Sequence, residues 1–152
     1  MKTRRLAVFF LSLVIAVSAQ AGAWAYASFA NDDALDWVEN ELKPGGQRAV
    51  ETTIARVAKG SGYLDLSDGC YAVAACEVLA AAQGRPAADL PDEVAALAKK
   101  LPSKPSESVR KNAREALDRV LGKDSELSAL WRESKADFEK WQKLIEDLKS
   151  RV

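Results

Sequence analysis

The chain has 152 residues, 48% of them hydrophobic and 29% charged, a composition that predicts one globular domain rather than a disordered chain. It has no histidine, which excludes the commonest general base, the Ser-His and Cys-His nucleophile pairs, and the imidazole ligands of most zinc sites. Three of its 22 basic residues lie in the first five positions, so 19 remain against 22 acidic ones, a net charge of −3. This balance argues against a nucleic acid partner, which needs a clustered positive surface.

The first 21 residues have the pattern of a secretory signal peptide. A basic start precedes an apolar run at 6–17 and the small-x-small sequence Ala19-Gln20-Ala21. We predict a signal peptide over residues 1–21, cleavage between Ala21 and Gly22, and a secreted or periplasmic mature chain without a membrane span. An uncleaved anchor is the alternative, because residues 6–30 carry no charge, but the second half of that run is weakly apolar.

From Asn31 onward, apolar residues recur at helical spacing, which predicts a single all-α domain over residues 22–152. We expect a compact bundle of about five to six helices after a short extended aromatic segment, "GAWAYASF". Asn31 is the expected N-cap of the first helix, which "KPGG" at 43–46 ends. The other predicted helices span about 47–59, 67–83, a short stretch from Pro91, 107–121, and a last helix from Asp124 or Ser125 almost to the end.

The last predicted helix carries a seven-residue apolar repeat. Its positions 127, 131, 134, 138, 141, 145, 148 and 152 are apolar except for Ser134. Such a repeat can indicate a coiled coil. Leu130 and Leu144 widen the apolar stripe beyond a narrow seam, so we expect this helix to dock on its own domain. A dimer or partner surface is the alternative.

The helix at 67–83 is nearly apolar all round, which predicts a central position. Glu77 is its only charged side chain between Asp68 and Arg85. A buried carboxylate needs hydrogen-bond donors or a cation, since its pKa otherwise rises. We expect a structural clasp in which Glu77 accepts hydrogen bonds from the indole of Trp24 or Trp37 or from a basic side chain. The alternative is a general acid or base in a hydrolase-like enzyme, with Asp32 or Asp36 as the second carboxylate.

Cys70 and Cys76 lie six residues apart in this helix, which separates their Cα atoms by about 9 Å, whereas a disulfide needs about 7 Å or less. We therefore expect two buried free thiols.

An acidic group, Asp32, Asp33 and Asp36, and the stretch "DLSDG" at 65–69 could each suggest a calcium site. Both lack the spacing of a calcium loop, so we expect helix capping there, with no metal and no cofactor. The aromatic residues Trp24, Tyr26, Phe29 and Trp37 could line a ligand groove, but we expect them to seal the core.

Four stretches carry a resemblance across the mature chain: "GAW" at 22–24, "FANDDALDW" at 29–37, "YLDLSDGCYAVAACEVLAAAQGRP" at 63–86 and "ALDRVLGKDSELSALWRES" at 116–134. They resemble the bacterial family called domain of unknown function 4259. Members typically open with Gly-x-Trp-Gly-x-Gly-x-Phe-x-Asn-Asp-x-Ala-x-Asp, in which Ala25 and Ser28 replace or displace the later glycines here. Members usually begin at this motif directly after the starting Met. The resemblance implies a helical fold and assigns no activity.

The sequence thus favours an exported helical domain without catalytic activity that binds another protein as an interaction or inhibitor-like module. The carboxylate-dependent enzyme and a structural protein of the cell envelope are the alternatives. The candidate binding residues are Trp24, Asn31, Asp32, Asp36, Trp37 and Glu77.

Overall fold

A computed structural model describes residues 26–152, so the predicted signal peptide, its cleavage point and Trp24 lie outside the described residues. The described chain is helical, which confirms the all-α prediction. A π-helical segment, Val38–Leu42, follows the first helix. The α-helices are α1 Asp32–Trp37, α2 Lys43–Gly45, α3 Gln47–Lys59, α4 Leu66–Ala82, α5 Asp92–Ala98, α6 Glu107–Leu121, α7 Glu126–Trp131 and α8 Lys135–Arg151.

The helix ends follow from local capping chemistry. Asn31 Oδ1 accepts a hydrogen bond from the N–H of Ala34 at 2.8 Å, as predicted for the N-cap of α1. Asp65 caps α4 in the same way through the N–H of Asp68 at 2.9 Å, which confirms the capping interpretation of "DLSDG". Gly84 has a φ of 77° just beyond α4, a left-handed conformation that glycine adopts without steric cost.

The centre of the fold is α4, which packs against α1, α3, α5, α6, α7 and α8. Its small side chains are buried on every side, and this confirms its predicted central position. The residues of α4 with 0% exposure are Ala72, Ala74, Ala75, Cys76, Val78 and Ala80. Small residues allow neighbouring backbones to approach closely, and six partners fit around one helix for this reason. Within residues 26–152, no helix combines the length and apolarity needed to cross a membrane.

The first predicted helix is not a regular α-helix throughout. The N–H of Lys43 bonds to Val38 O, five residues earlier, so the turn over Val38–Leu42 is π-helical. Pro44 follows and has no N–H to continue an α-helical pattern. Val38 and Leu42 are both buried, whereas Leu35 is 46% exposed.

The last predicted helix is divided at residues 132–134 into α7 and α8, so the expectation of one long helix is wrong. Ser134, the polar lapse in the repeat, is the N-cap of α8 and accepts from the N–H of Asp137 at 3.4 Å. Trp141, Ile145, Leu148 and Val152 are buried against the rest of the chain. This confirms docking of α8 on its own domain. Leu144 is 45% exposed, so it does not widen the buried stripe as expected.

Candidate functional site

Glu77 lies in the second half of α4 and is 1% exposed. Arg151 of α8 donates to both of its carboxylate oxygens, from Nη1 to Oε1 at 2.7 Å and from Nη2 to Oε2 at 2.8 Å. The backbone N–H of Ala87 donates to Oε1 at 2.8 Å. Two parallel N–H···O bonds are the geometry that makes Arg–carboxylate pairs strong and directional. Glu77 is therefore held by a basic side chain, one of the partners expected from the sequence.

Arg151 has further acceptors of its own. Its Nε donates to Asp147 Oδ2 at 2.8 Å, and Nη1 also donates to Arg85 O at 2.9 Å. The pKa of Arg151 is raised, mainly by its hydrogen bonds to Glu77, so the guanidinium stays charged. The next residue, Val152, is buried, and its carbonyl oxygen accepts from Arg114 Nη2 at 2.8 Å. We call Glu77, Ala87 and Arg151 the C-terminal clasp, because they fix the end of α8 to α4 and to the loop after α4.

The aspartates of α1 lie apart from this clasp. Asp32 and Asp36 are exposed. Their neighbour Asp33 accepts from Ser67 Oγ at 2.7 Å in the first turn of α4. Ser67 precedes Glu77 by ten residues, or about 15 Å of helix. In residues 26–152, no three His, Cys, Asp or Glu side chains are grouped so that they could hold a metal ion.

Trp37 is a core residue and does not donate to Glu77, so that version of the clasp is wrong. Its side chain is 1% exposed, and its indole Nε1 donates to Thr53 Oγ1 of α3 at 3.0 Å. The Thr53 hydroxyl donates in turn to Glu41 Oε2 at 3.3 Å. The π-helical turn carries Glu41, which places this carboxylate one turn after Trp37. The chain of bonds satisfies the polar atoms of Trp37 and Thr53 inside the core.

A stack of aromatic rings lies where the amino-terminal segment crosses α7 and α8. The ring centroids of Tyr26 and Trp131 are 5.2 Å apart, and those of Trp131 and Trp141 are 5.9 Å apart, with nearly parallel planes. Phe138 packs on Trp141 at 5.9 Å. Tyr26 Oη donates to Asp137 Oδ1 at 2.5 Å, a bond that raises the pKa of Tyr26 and lowers the pKa of Asp137.

Two cations lie over this stack. Arg132 Cζ is 4.0 Å from the centroid of the Phe138 ring, and Lys140 Nζ is 5.8 Å from that of Tyr26. Tyr26, Trp131 and Phe138 are only partly buried, whereas Trp141 is buried. We call Tyr26, Trp131, Phe138, Arg132 and Lys140 the aromatic surface.

Both cysteines are free and buried, as expected. Burial is the main cause that raises the pKa of Cys70 to about 12, with a smaller effect from Asp33. Burial and the neighbouring Glu77 raise the pKa of Cys76 as well. A nucleophilic thiol needs a lowered pKa, so neither environment activates sulfur.

A cleft of about 430 Å³ lies between the loops that follow α3 and α6. Its wall includes Arg119, whose Nη1 donates to Val57 O at 2.6 Å and whose Nη2 donates to Gly62 O at 2.9 Å. A Cβ on Gly60 would lie 2.5 Å from Arg119 Nη1, so glycine permits this close approach. The cleft is lined by both acidic and basic side chains. Arg119 joins α6 to the last turns of α3 and to the loop that follows α3.

The sequence did not identify Arg151 or Thr53, and of the aromatic surface it singled out only Tyr26. Glu77 required a donor, but Arg151 is 74 residues away and nothing local distinguishes it from the other basic residues. Trp131 and Phe138 occupied positions of the apolar repeat and were therefore expected only to cover the core. The stacking of Trp131 on Trp141 depends on the bend between α7 and α8, which periodicity does not predict.

Comparison with known proteins adds a family and no activity. A comparison with curated proteins and one with solved structures found no significant match. Residues 22–144 match the family described as "Domain of unknown function (DUF4259)". The match includes Glu77 and the residues of the aromatic surface, and it begins at the residue after the predicted cleavage point. Because it covers most of the sequence, the chain belongs to the DUF4259 family.

Proposed function

We propose that this protein is an exported, non-catalytic module that binds another protein through its aromatic surface, as an interaction or inhibitor-like domain. The single observation that carries the proposal is the partly exposed stack of Tyr26 and Trp131 with Arg132 and Lys140 beside it. Tyr, Trp and Arg are the residues that most often dominate protein–protein binding energy. They are also held rigidly here, because Tyr26 is both stacked and hydrogen bonded.

Rigidity of these side chains favours binding, since little rotamer entropy is lost when a partner covers them. The two cations over the aromatic rings add positive charge, which can steer an approaching partner. The proposal moves the contact surface away from the residues expected from the sequence. Of those residues, Asn31 caps a helix, Trp37 is in the core and Glu77 is in the clasp.

The rival hypothesis of an enzyme that uses Glu77 has less support. A general acid or base must reach the substrate, whereas both oxygens of Glu77 are occupied by Arg151 and one also by Ala87. Asp32 and Asp36, its suggested partners, are exposed on α1. The envelope hypothesis has no specific contact in its favour.

Export rests on the signal-like residues 1–21 and on the family match that begins at residue 22. We expect the mature protein to begin at Gly22 and to be recovered from the periplasm or the medium. Amino-terminal sequencing of the protein recovered from cell fractions tests this. An intact leader in the membrane fraction would contradict it.

The binding proposal is tested by site-specific photocrosslinking in the native cells. A photoreactive amino acid at position 140 should crosslink to one discrete protein, and Arg132→Ala should reduce the yield. The matched control places the same group at position 48, an exposed site on α3, and should give no such product. Equal crosslinking from both positions, or none from position 140, would overturn the proposal.

A further inference from the structure

The connection between α7 and α8 consists of residues 132–134, and its sequence does not require a bend. From residue 123 to residue 152 the chain has neither glycine nor proline. The apolar repeat continues across the connection with only Ser134 interrupting it. The same segment is therefore compatible with one straight helix, since bends in helices are normally caused by glycine, proline or an inserted group.

Few backbone hydrogen bonds are specific to the bend, although side chains also pack across it: Arg132 lies over the Phe138 ring and Trp131 stacks on Trp141. Ser134 Oγ accepts from the N–H of Asp137 at 3.4 Å, and the N–H of Ser134 donates to Trp131 O at 3.3 Å. A straight helix would replace these with ordinary bonds from each N–H to the carbonyl four residues earlier. Straightening the connection thus loses little backbone hydrogen bonding.

Straightening would, however, lift α8 from its groove. Trp141, Ile145, Leu148 and Val152 would become exposed, and Glu77 would remain buried without Arg151. An uncompensated buried charge is strongly destabilising, so α8 must occupy an equivalent groove. A second copy of this chain presents the identical groove.

We propose that two copies of the chain form a dimer by exchanging α8, with residues 132–134 as the hinge. Each contact that α8 makes within one chain is then made with the partner copy. Arg151 binds Glu77, Lys149 binds Asp118, and Asp137 accepts from Tyr26. Monomer and exchanged dimer share these contacts and differ mainly at the hinge, which is the condition under which domain exchange costs little.

The clasp provides a direct test through charge reversal in two separate chains. Glu77→Arg places two cations together within one chain, and Arg151→Glu places two anions together. In an exchanged heterodimer of the two variants, Arg151 of one chain meets Glu77 of the other, and the two reversed residues also meet. Opposite charges are therefore restored at both clasps only by exchange between chains.

We expect the two differently tagged variants, refolded together, to form a one-to-one heterodimer in light scattering and native mass spectrometry. Each variant alone should give less folded protein than the mixture. This comparison can be made even if neither variant folds by itself. The chain that carries both reversals restores its clasp internally and is the folding control. A mixture that behaves as the sum of its components, while this control folds, would overturn the proposal.

The hinge provides a second test in chains with an intact clasp. Ser134→Ala removes the cap and favours the straight helix, whereas Ser134→Asp keeps a capping side chain and disfavours it. We expect the dimer dissociation constant of Ser134→Ala to be about tenfold below that of Ser134→Asp. Equal constants, or the reverse order, would contradict the hinge.

Discussion

Glu77 on α4 and Asp36 on α1 carry the same chemical group in opposite surroundings. Glu77 is 1% exposed and accepts three hydrogen bonds, two of them from Arg151. Asp36 is exposed on a short helix at the surface. The sequence made both of them candidate site residues, yet only one is bound into the fold.

Burial, and not residue type, therefore decides how much a carboxylate stabilises or destabilises the fold. A buried carboxylate must be paired, and loss of its partner leaves an unpaired charge in the core. An exposed carboxylate is solvated in both the folded and the unfolded chain, so its removal changes little. Substitutions along this gradient of burial should therefore have graded effects on the free energy of unfolding.

The largest effect is expected for Glu77→Ala. It leaves the Arg151 guanidinium and the Ala87 N–H without their acceptor and opens a cavity beside Cys76, for a loss of about 3–5 kcal/mol in the free energy of unfolding. Chemical denaturation followed by circular dichroism measures it. Glu77→Gln keeps the shape and one acceptor oxygen and should lose less. An unchanged transition in Glu77→Ala would contradict the structural role of the clasp.

A smaller effect is expected for Thr53→Val, which has nearly the same shape but lacks the hydroxyl. It leaves the indole N–H of Trp37 unpaired in the core and should lower the free energy of unfolding by about 1–3 kcal/mol. The matched control is the adjacent Thr52→Val, since Thr52 is exposed on the same helix. Equal effects of the two variants would show that the hydrogen bond to Trp37 contributes nothing measurable.

Helix boundaries were predictable where the chain itself carries the start or stop. The predicted limits of α3 and α6 agree with the structure, because Gly60 and Gly122 follow their last residues. Asn31 likewise identified the start of α1, and α4 begins one residue before the predicted residue 67. These features depend on neighbours within one turn, which the sequence displays directly.

The bend at residues 132–134 and the clasp were not predictable on the same basis. Ser134 is compatible with a helix interior and with an N-cap, and burial of Trp141 against Trp131 decides between them. Similarly, the sequence indicated that Glu77 needs a donor, but the packing of α8 against α4 selects Arg151. Both depend on contacts between distant parts of the chain.

At the aromatic surface, the hydrogen bond between Tyr26 and Asp137 should stabilise the fold near neutral pH, and this contribution should be lost at both low and high pH. It lowers the pKa of Asp137, so its contribution is present above the usual carboxyl value of 3.8 and is lost as the pH falls through the lowered pKa. It raises the pKa of Tyr26, so the contribution is present below the usual phenol value of 10.0 and is lost as the pH rises through the raised pKa.

Tyr26→Phe removes this bond while it keeps the ring stacked on Trp131. The difference in melting temperature between the wild type and Tyr26→Phe should be constant from about pH 5 to about pH 9 and should shrink outside that range. Tyr63→Phe is the matched control, because Tyr63 is 66% exposed. If the difference in melting temperature did not vary with pH, the hydroxyl of Tyr26 would not stabilise the fold through its hydrogen bond to Asp137.

The smallest effect is expected for Asp32→Ala and Asp36→Ala, each within about 0.5 kcal/mol of the wild-type free energy of unfolding. Asn31→Ala on the same helix should cost about 1 kcal/mol, because it removes the acceptor for the N–H of Ala34. This neighbour shows that α1 is sensitive to substitution where a side chain is bonded. If either aspartate variant destabilised the chain as much as Glu77→Ala, burial would not be the property that separates the two carboxylate positions.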